Sequence, residues 1–134
     1  MNSSFARTFA IVAGIVLVGI GLLGFIDNPI ASTPENNPLF HVDPVHNIIH
    51  IVTGALSLFV GFGLRGDARA NGLIAIGVGY GLVLLLTLID NDAFGLLQHP
   101  VNMADHILHI ALTAAFIGVG VLARNESRDV VRTR

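Results

Sequence analysis

Histidines and an aspartate recur at a four-residue spacing at two places in this chain. His46 and His50 begin one long apolar stretch, and Asp105 and His109 begin another. Side chains four residues apart lie on the same face of a helix, so each pair is expected to project to one side. Imidazoles and carboxylates are ligands of Zn, Cu and Fe, and four of them complete a tetrahedral site. If the two stretches pack together, the sequence predicts a transition-metal site formed by these four residues.

Three other roles are open for the same side chains. The rings and the carboxylate could be structural, with hydrogen bonds between helices that fix a bundle, as polar residues do in membrane proteins. His50 and His109 could instead be the two axial ligands of a b-type haem held between helices. His46 or Asp105 could act as an acid or base in proton or quinone chemistry. The residue types alone do not decide between these roles.

The remaining histidines are expected to contribute less to such a site. We interpret His106 as a hydrogen-bonding residue at a helix end. Asn47, the residue directly after His46, is interpreted in the same way. His41 and His99 lie beside proline or aromatic residues in segments that separate the apolar stretches, so we expect solvated loop side chains there.

The elements that carry these residues are apolar enough to cross a membrane. Of 134 residues, 53% are hydrophobic and 12% are charged, which is too little charge to cover a soluble protein. A span needs about 20 apolar residues, and the stretches that meet this length are 8–26, 45–64, 71–89 and 103–123. We therefore predict an all-α fold, a transmembrane bundle of four helices that forms one domain over residues 1–134 and has the lipid bilayer as its surroundings.

Composition also restricts partners and orientation. The formal net charge of −2 gives no indication of nucleic acid as a partner, and the absence of cysteine excludes disulfides and thiolate metal sites. All basic residues are arginines, and none lies in 27–44 or 90–102. Basic residues concentrate on the cytoplasmic side, so we predict a multi-pass protein of the cytoplasmic membrane with both termini inside. The arginines are Arg7, Arg65, Arg69, Arg124, Arg128, Arg132 and Arg134.

The second half of the chain resembles the first. A shift of 59 positions superposes 46–65 on 105–124, and it aligns helix-capping residues, histidines and arginines as well as apolar positions. The aligned pairs are Asp43 with Asn102, His46 with Asp105, His50 with His109, and Arg65 with Arg124. The triplet Ile-Asp-Asn also follows the first span at 26–28 and the third span at 89–91. We predict two parallel hairpin repeats, 8–65 and 71–124, which bring the second and fourth spans together near the outer surface.

Two motifs carry a resemblance to a known family. They are the HNxxH pattern at 46–50 and the N-x-A-D-x-x-L-H pattern at 102–109. With the glycine-rich first and third spans, they make residues 8–123 similar to a small bacterial membrane-protein family catalogued as domain of unknown function 4383. The resemblance implies four membrane spans and the polar residues at their ends, and it implies no activity. The family usually has asparagine where this chain has His106, so no family-wide role for His106 is implied.

Together these patterns predict a non-catalytic membrane protein of unknown activity. Its outer cluster of His46, His50, Asp105 and His109 is expected to fix the bundle and to be a candidate transition-metal site. A membrane redox protein that depends on haem or metal is the alternative from another class. A further alternative is an accessory subunit whose glycine-rich helices pack on a larger membrane complex or on a second copy of the chain.

Overall fold

The structure is a computed structural model that describes residues 3–132, with side chains described over residues 4–126. In this part of the chain four long helices follow one another: α1 (Ser3–Leu23), α2 (Pro44–Gly63), α3 (Gly66–Ile89) and α4 (Met103–Arg132). All four are long and apolar enough to cross a membrane, which confirms the predicted all-α architecture. Arg134 lies outside the described residues, and so do the side chains of Arg128 and Arg132.

The helix ends differ from the predicted spans in several places. Helices α1 and α3 begin at Ser3 and Gly66, five residues before the predicted starts at 8 and 71. The first helix ends at Leu23, three residues before the predicted boundary, because the chain then turns through Gly24 and Phe25 into the loop. The last helix continues to Arg132, nine residues beyond the predicted boundary at 123. Helix α4 therefore extends past its apolar segment, since arginine and glutamate are good helix formers that need no apolar environment.

Small residues let the helices pack in two close pairs, α1 with α2 and α3 with α4. A Cβ atom on Gly61 would lie 2.7 Å from Ile11 Cγ1, and one on Gly120 would lie 2.7 Å from Ile74 Cγ1. Gly61 aligns with Gly120 in the predicted repeat, and Ile11 and Ile74 precede the two Ile-Asp-Asn triplets by the same distance. Equivalent residues thus bring each pair of helices together, as two hairpin repeats would require. The repeat itself stays a prediction.

The outer surface of the bundle is apolar, and its interior contains an aromatic core. Phe116 is fully buried and packs against Phe9 at a centroid distance of 5.1 Å. Large apolar side chains such as Phe59, Phe62 and Leu82 are in contrast about 60% exposed, at 61%, 64% and 60%. A soluble protein rarely leaves so much apolar surface uncovered, whereas lipid is a suitable solvent for it.

Two loops cover the end of the bundle at which α2 and α4 begin. The first contains a 3₁₀ turn (Pro34–Asn36) and two short parallel strands, β1 (Ala31–Ser32) and β2 (Phe40–His41). The second loop packs a small apolar cluster of Ala93, Leu97 and Val101 against Val45 of α2. The sequence patterns did not predict the strands. Both loops pack over the polar residues at the helix starts.

Candidate metal centre

Three imidazole rings meet between α2 and α4. His46, His50 and His109 each offer a ring nitrogen, and these atoms lie within 4.8 Å of one another. The rings are 4%, 2% and 2% exposed, respectively. Their centroids are 4.8 Å apart for His46 and His50, 5.5 Å for His46 and His109, and 5.8 Å for His50 and His109. The structure therefore brings together three of the four residues that the sequence predicted as ligands.

The starts of α2 and α4 place the rings of His50 and His109 at the same distance from the ends of their helices. Asp43 is the N-cap of α2, and its carboxylate accepts the backbone N–H of His46 at 2.9 Å. The side-chain oxygen of Asn102 accepts the backbone N–H of Asp105 at 3.0 Å at the start of α4. Such caps fix the first turn of a helix. His50 and His109 each follow their cap by seven residues, so both rings point into the gap between the helices about two turns from the ends.

Asp105 is buried beside the rings but lies outside the group of three. Its Oδ2 atom accepts the backbone N–H groups of His41 at 3.1 Å and Asn102 at 2.9 Å. The carboxylate thereby ties strand β2 to the first turn of α4. Its role as a fourth metal ligand stays a prediction.

Asp43 makes the reciprocal connection on the other helix. Its Oδ2 atom accepts the backbone N–H groups of Gln98 at 2.7 Å and His99 at 3.1 Å, in the loop that leads to α4. Each of the two buried carboxylates thus holds the loop that precedes the other helix. The sequence predicted the capping role of Asp43 but not this link, because nothing in the local pattern identifies a partner 55 residues away.

Several ring nitrogens in the cluster are buried without a hydrogen-bond partner among the described residues. They are both nitrogens of His46 and the Nδ1 atom of His109. A buried polar group left unpaired costs about 1–3 kcal/mol, so native structures satisfy nearly all of them with protein atoms, water or an ion. A cation is one partner that ring nitrogens within 4.8 Å of one another could share.

Tyr80 completes the surroundings of the cluster, and sequence analysis did not identify it. Its hydroxyl lies 2.8 Å from the Thr53 hydroxyl and makes a longer contact of 3.5 Å with Nδ1 of His50. Thr53 already donates its proton to the carbonyl of Ile49 at 2.7 Å, so it can only accept from Tyr80. The Tyr80 oxygen is then free to accept a proton from Nδ1 of His50. That tautomer leaves the Nε2 lone pair of His50 available as a ligand.

The other three histidines lie outside the cluster of three rings and make hydrogen bonds around it. His106 Nε2 lies 3.2 Å from the side-chain oxygen of Asn91, which agrees with the interpretation of His106 as a helix-end hydrogen-bonding residue. His41 and His99 are half-buried rather than fully solvated, and it is their backbone N–H groups that bind the two carboxylates.

The packing around the rings favours a bare ion over haem. A porphyrin bound by His50 and His109 would occupy the plane midway between them. The His46 ring lies close to that plane, because its centroid is 4.8 Å from His50 and 5.5 Å from His109. The Tyr80 ring is also nearly equidistant from the two, at 6.5 and 5.9 Å. Haem would have to displace both rings, whereas an ion needs only the space between the nitrogens.

The spacing of the nitrogens is slightly wider than that of a formed metal site. Nitrogen ligands lie about 2.0–2.1 Å from a tetrahedral Zn ion, which puts them about 3.4 Å from one another. The three ring nitrogens now lie within 4.8 Å of one another. Each would therefore have to move by about 1 Å toward the common centre. Binding of an ion would thus require the rings to rotate toward one another.

Comparison with known proteins identifies the family but no activity. No curated protein and no solved structure matches the chain. The family model described as a domain of unknown function (DUF4383) matches residues 7–122, a range that covers part or all of each of the four helices and includes the histidine cluster. The chain therefore belongs to the DUF4383 family, which confirms the family that the HNxxH and N-x-A-D-x-x-L-H motifs indicated.

Proposed function

We propose that this chain is an integral protein of the cytoplasmic membrane that binds one transition-metal ion between α2 and α4. The ligands are the imidazoles of His46, His50 and His109. The observation that carries the proposal is that one ring nitrogen from each of the three buried histidines lies within 4.8 Å of the others. Both nitrogens of His46 and the Nδ1 atom of His109 have no hydrogen-bond partner among the described residues. Imidazole ligands suit Zn, Cu and Fe, and the absence of cysteine means that no thiolate selects among them.

Asp105 is the protein's own candidate for a fourth ligand. One of its oxygens already accepts two backbone N–H groups, at 3.1 and 2.9 Å, and this fixes the orientation of the carboxylate. The other oxygen is the one that an ion would bind. Three histidines with a fourth position filled by a carboxylate, water or a small molecule form a coordination set common to zinc proteins.

The distribution of arginines supports the orientation of this site. With both termini and the turn at 65–70 in the cytoplasm, α2 and α4 begin at the outer surface. The metal site then lies about two helical turns inside the outer face, beneath the two loops. In this position the cluster also fixes α2 to α4, because a shared ion would link side chains from both helices.

Elemental analysis of protein purified without imidazole tests the proposal. We expect about one equivalent of Zn, Cu or Fe per chain in the native protein and less than a tenth of that in the His50→Ala variant. His99→Ala is the matched control, since His99 contributes only a backbone N–H near the site, and it should retain the metal. A native protein free of metal, or equal loss in the two variants, would rule out the proposed site.

A further inference from the structure

The end of the bundle opposite the histidines contains a basic cavity. Its volume is about 340 Å³, and it is lined by Arg7 of α1, Arg65 and Arg69 around the start of α3, and the neighbouring Phe62 and Gly66. The lining residues include no aspartate or glutamate in the part of the chain that the structure describes. Three guanidinium groups from two separate segments therefore surround one space.

Arg69 is held in a defined position at this cavity. Its Nε atom donates to the carbonyl of Val60 at 3.5 Å, and its Nη2 atom donates to the carbonyl of Gly61 at 3.3 Å. These carbonyls belong to the last turn of α2, where the helix dipole favours a cation. Arg69 is 9% exposed, whereas Arg7 and Arg65 are exposed at the rim. The cavity is thus lined by one guanidinium group that is held in place and by two exposed ones whose side chains can adjust to a ligand.

The start of α3 adds to the positive potential of this cavity. Helix α3 begins at Gly66, which lines the cavity. The first backbone N–H groups of a helix have no partner within the helix and attract anions. Three arginine side chains around one space repel a cation and stabilise an anion. Asp67, in the first turn of α3, is exposed and does not line the cavity.

We propose that this cavity binds the phosphate group of an anionic membrane lipid. Guanidinium groups match the geometry of phosphate with paired hydrogen bonds. Phe62 lines the same cavity and is 64% exposed on the apolar surface of the bundle. A ligand that carries both a phosphate and acyl chains contacts the arginines and this surface together, whereas free phosphate contacts only the arginines. The proposal depends on the membrane placement proposed above and not on the metal site.

Native mass spectrometry of the full chain in detergent tests this site with phosphatidylglycerol and phosphatidylcholine as probes. We expect one phosphatidylglycerol to bind at least ten times more tightly than phosphatidylcholine. Arg7→Gln and Arg65→Gln should each weaken phosphatidylglycerol binding about fivefold. Arg69 is left intact because its hydrogen bonds to α2 also support the fold.

Arg124→Gln is the matched control. Arg124 aligns with Arg65 in the predicted repeat and does not line the cavity, so this variant should bind phosphatidylglycerol as the native protein does. Equal affinity for the two lipids, or equal losses in Arg65→Gln and Arg124→Gln, would overturn the proposal. Displacement of the lipid by excess inorganic phosphate would assign the cavity to a free anion and would also overturn it. The Arg variants should keep their metal content, so each proposal can fail without the other.

Discussion

His46 has the least favourable surroundings of the three clustered rings when no ligand is present. Neither of its nitrogens has a hydrogen-bond partner among the described residues, and its ring stacks on His50. A buried polar ring without a hydrogen bond destabilises the metal-free protein, and a bound ion would give it a partner. Replacement of His46 therefore distinguishes a role of this ring as a metal ligand from a structural role.

The change His46→Leu tests that separation. Because leucine removes two unpaired nitrogens, the free energy of unfolding in a chelator should stay unchanged or rise by about 1–2 kcal/mol. Bound metal should be lost. Denaturant titration in detergent with excess chelator measures the first quantity, and elemental analysis measures the second. Ser57→Ala is the control, since it removes the buried hydrogen bond to the carbonyl of Ala10 and should destabilise the protein. Strong destabilisation of the chelated protein by His46→Leu would indicate a structural ring instead.

Tyr80 is expected to act through His50 rather than as a ligand. The change Tyr80→Phe removes the oxygen that faces Nδ1 of His50, so the favoured tautomer of that ring is no longer fixed. Removal of such a supporting hydrogen bond typically weakens metal binding about 10- to 100-fold. Competition with a chelator of known affinity measures this change.

Thr113→Val provides the control for Tyr80→Phe. The hydroxyl of Thr113 donates to the backbone carbonyl of His109 at 2.7 Å and not to the imidazole ring. Its replacement should change metal affinity less than twofold. Similar losses in the two variants would show that affinity depends on general packing and not on the orientation of His50.

At the scale of elements, the two buried carboxylates hold the two loops in position over the histidine cluster. Asp43 and Asp105 each cap or adjoin a helix start and bind backbone N–H groups of the loop before the other helix. These bonds close the end of the bundle at which α2 and α4 begin, over the rings. The loops thereby keep bulk water from the ring nitrogens.

The change Asp43→Asn tests this closure. The asparagine oxygen can still cap α2, but the amide nitrogen cannot accept the N–H groups of Gln98 and His99. We expect the free energy of unfolding to fall by about 2 kcal/mol. Asp92→Asn is the control, because Asp92 accepts a single exposed N–H, from Gly95, and its change should stay within about 0.5 kcal/mol. Denaturant titration compares the two, and equal effects would contradict the closing role of Asp43.

The helices could be predicted from sequence because their signals are local. Long apolar runs set the spans, and the capping residues Asp43 and Asn102 set the starts of α2 and α4 to within a residue. Helix α3 begins without a side-chain cap, and both α1 and α3 begin five residues before their predicted starts. Strands β1 and β2 have two residues each and depend on a distant carboxylate, so no periodic pattern marks them. Tyr80 lies within an apolar run, and its partner Thr53 is 27 residues away. Contacts of this kind follow from packing and not from spacing along the chain.

At the scale of the whole molecule, the two proposed sites lie at opposite ends of the helices. A 20-residue helix is about 30 Å long, the thickness of the hydrocarbon core of a bilayer. The histidine cluster and the arginine cavity therefore lie near opposite membrane faces. The predicted orientation assigns the histidines to the outer face and the arginines to the cytoplasm.

Labelling of single cysteines tests this orientation, since the native chain has none. Glu35 lies in the loop over the histidines, Asp67 lies near the arginine cavity, and both are exposed. In intact cells a membrane-impermeant maleimide should label the Glu35→Cys variant. The Asp67→Cys variant should react only after permeabilisation. The reverse pattern would place the histidine cluster on the cytoplasmic side.

The central claim is that three imidazoles from two helices share one ion, and X-ray absorption at the metal edge measures this most directly. The sample is the native protein loaded with one equivalent of Zn and desalted. We expect a first shell that includes about three imidazole nitrogens at about 2.0–2.1 Å in the native protein, and no zinc retained after desalting in the His46→Leu variant. In the native protein, a shell of oxygen atoms alone, or no zinc left after desalting, would contradict the account.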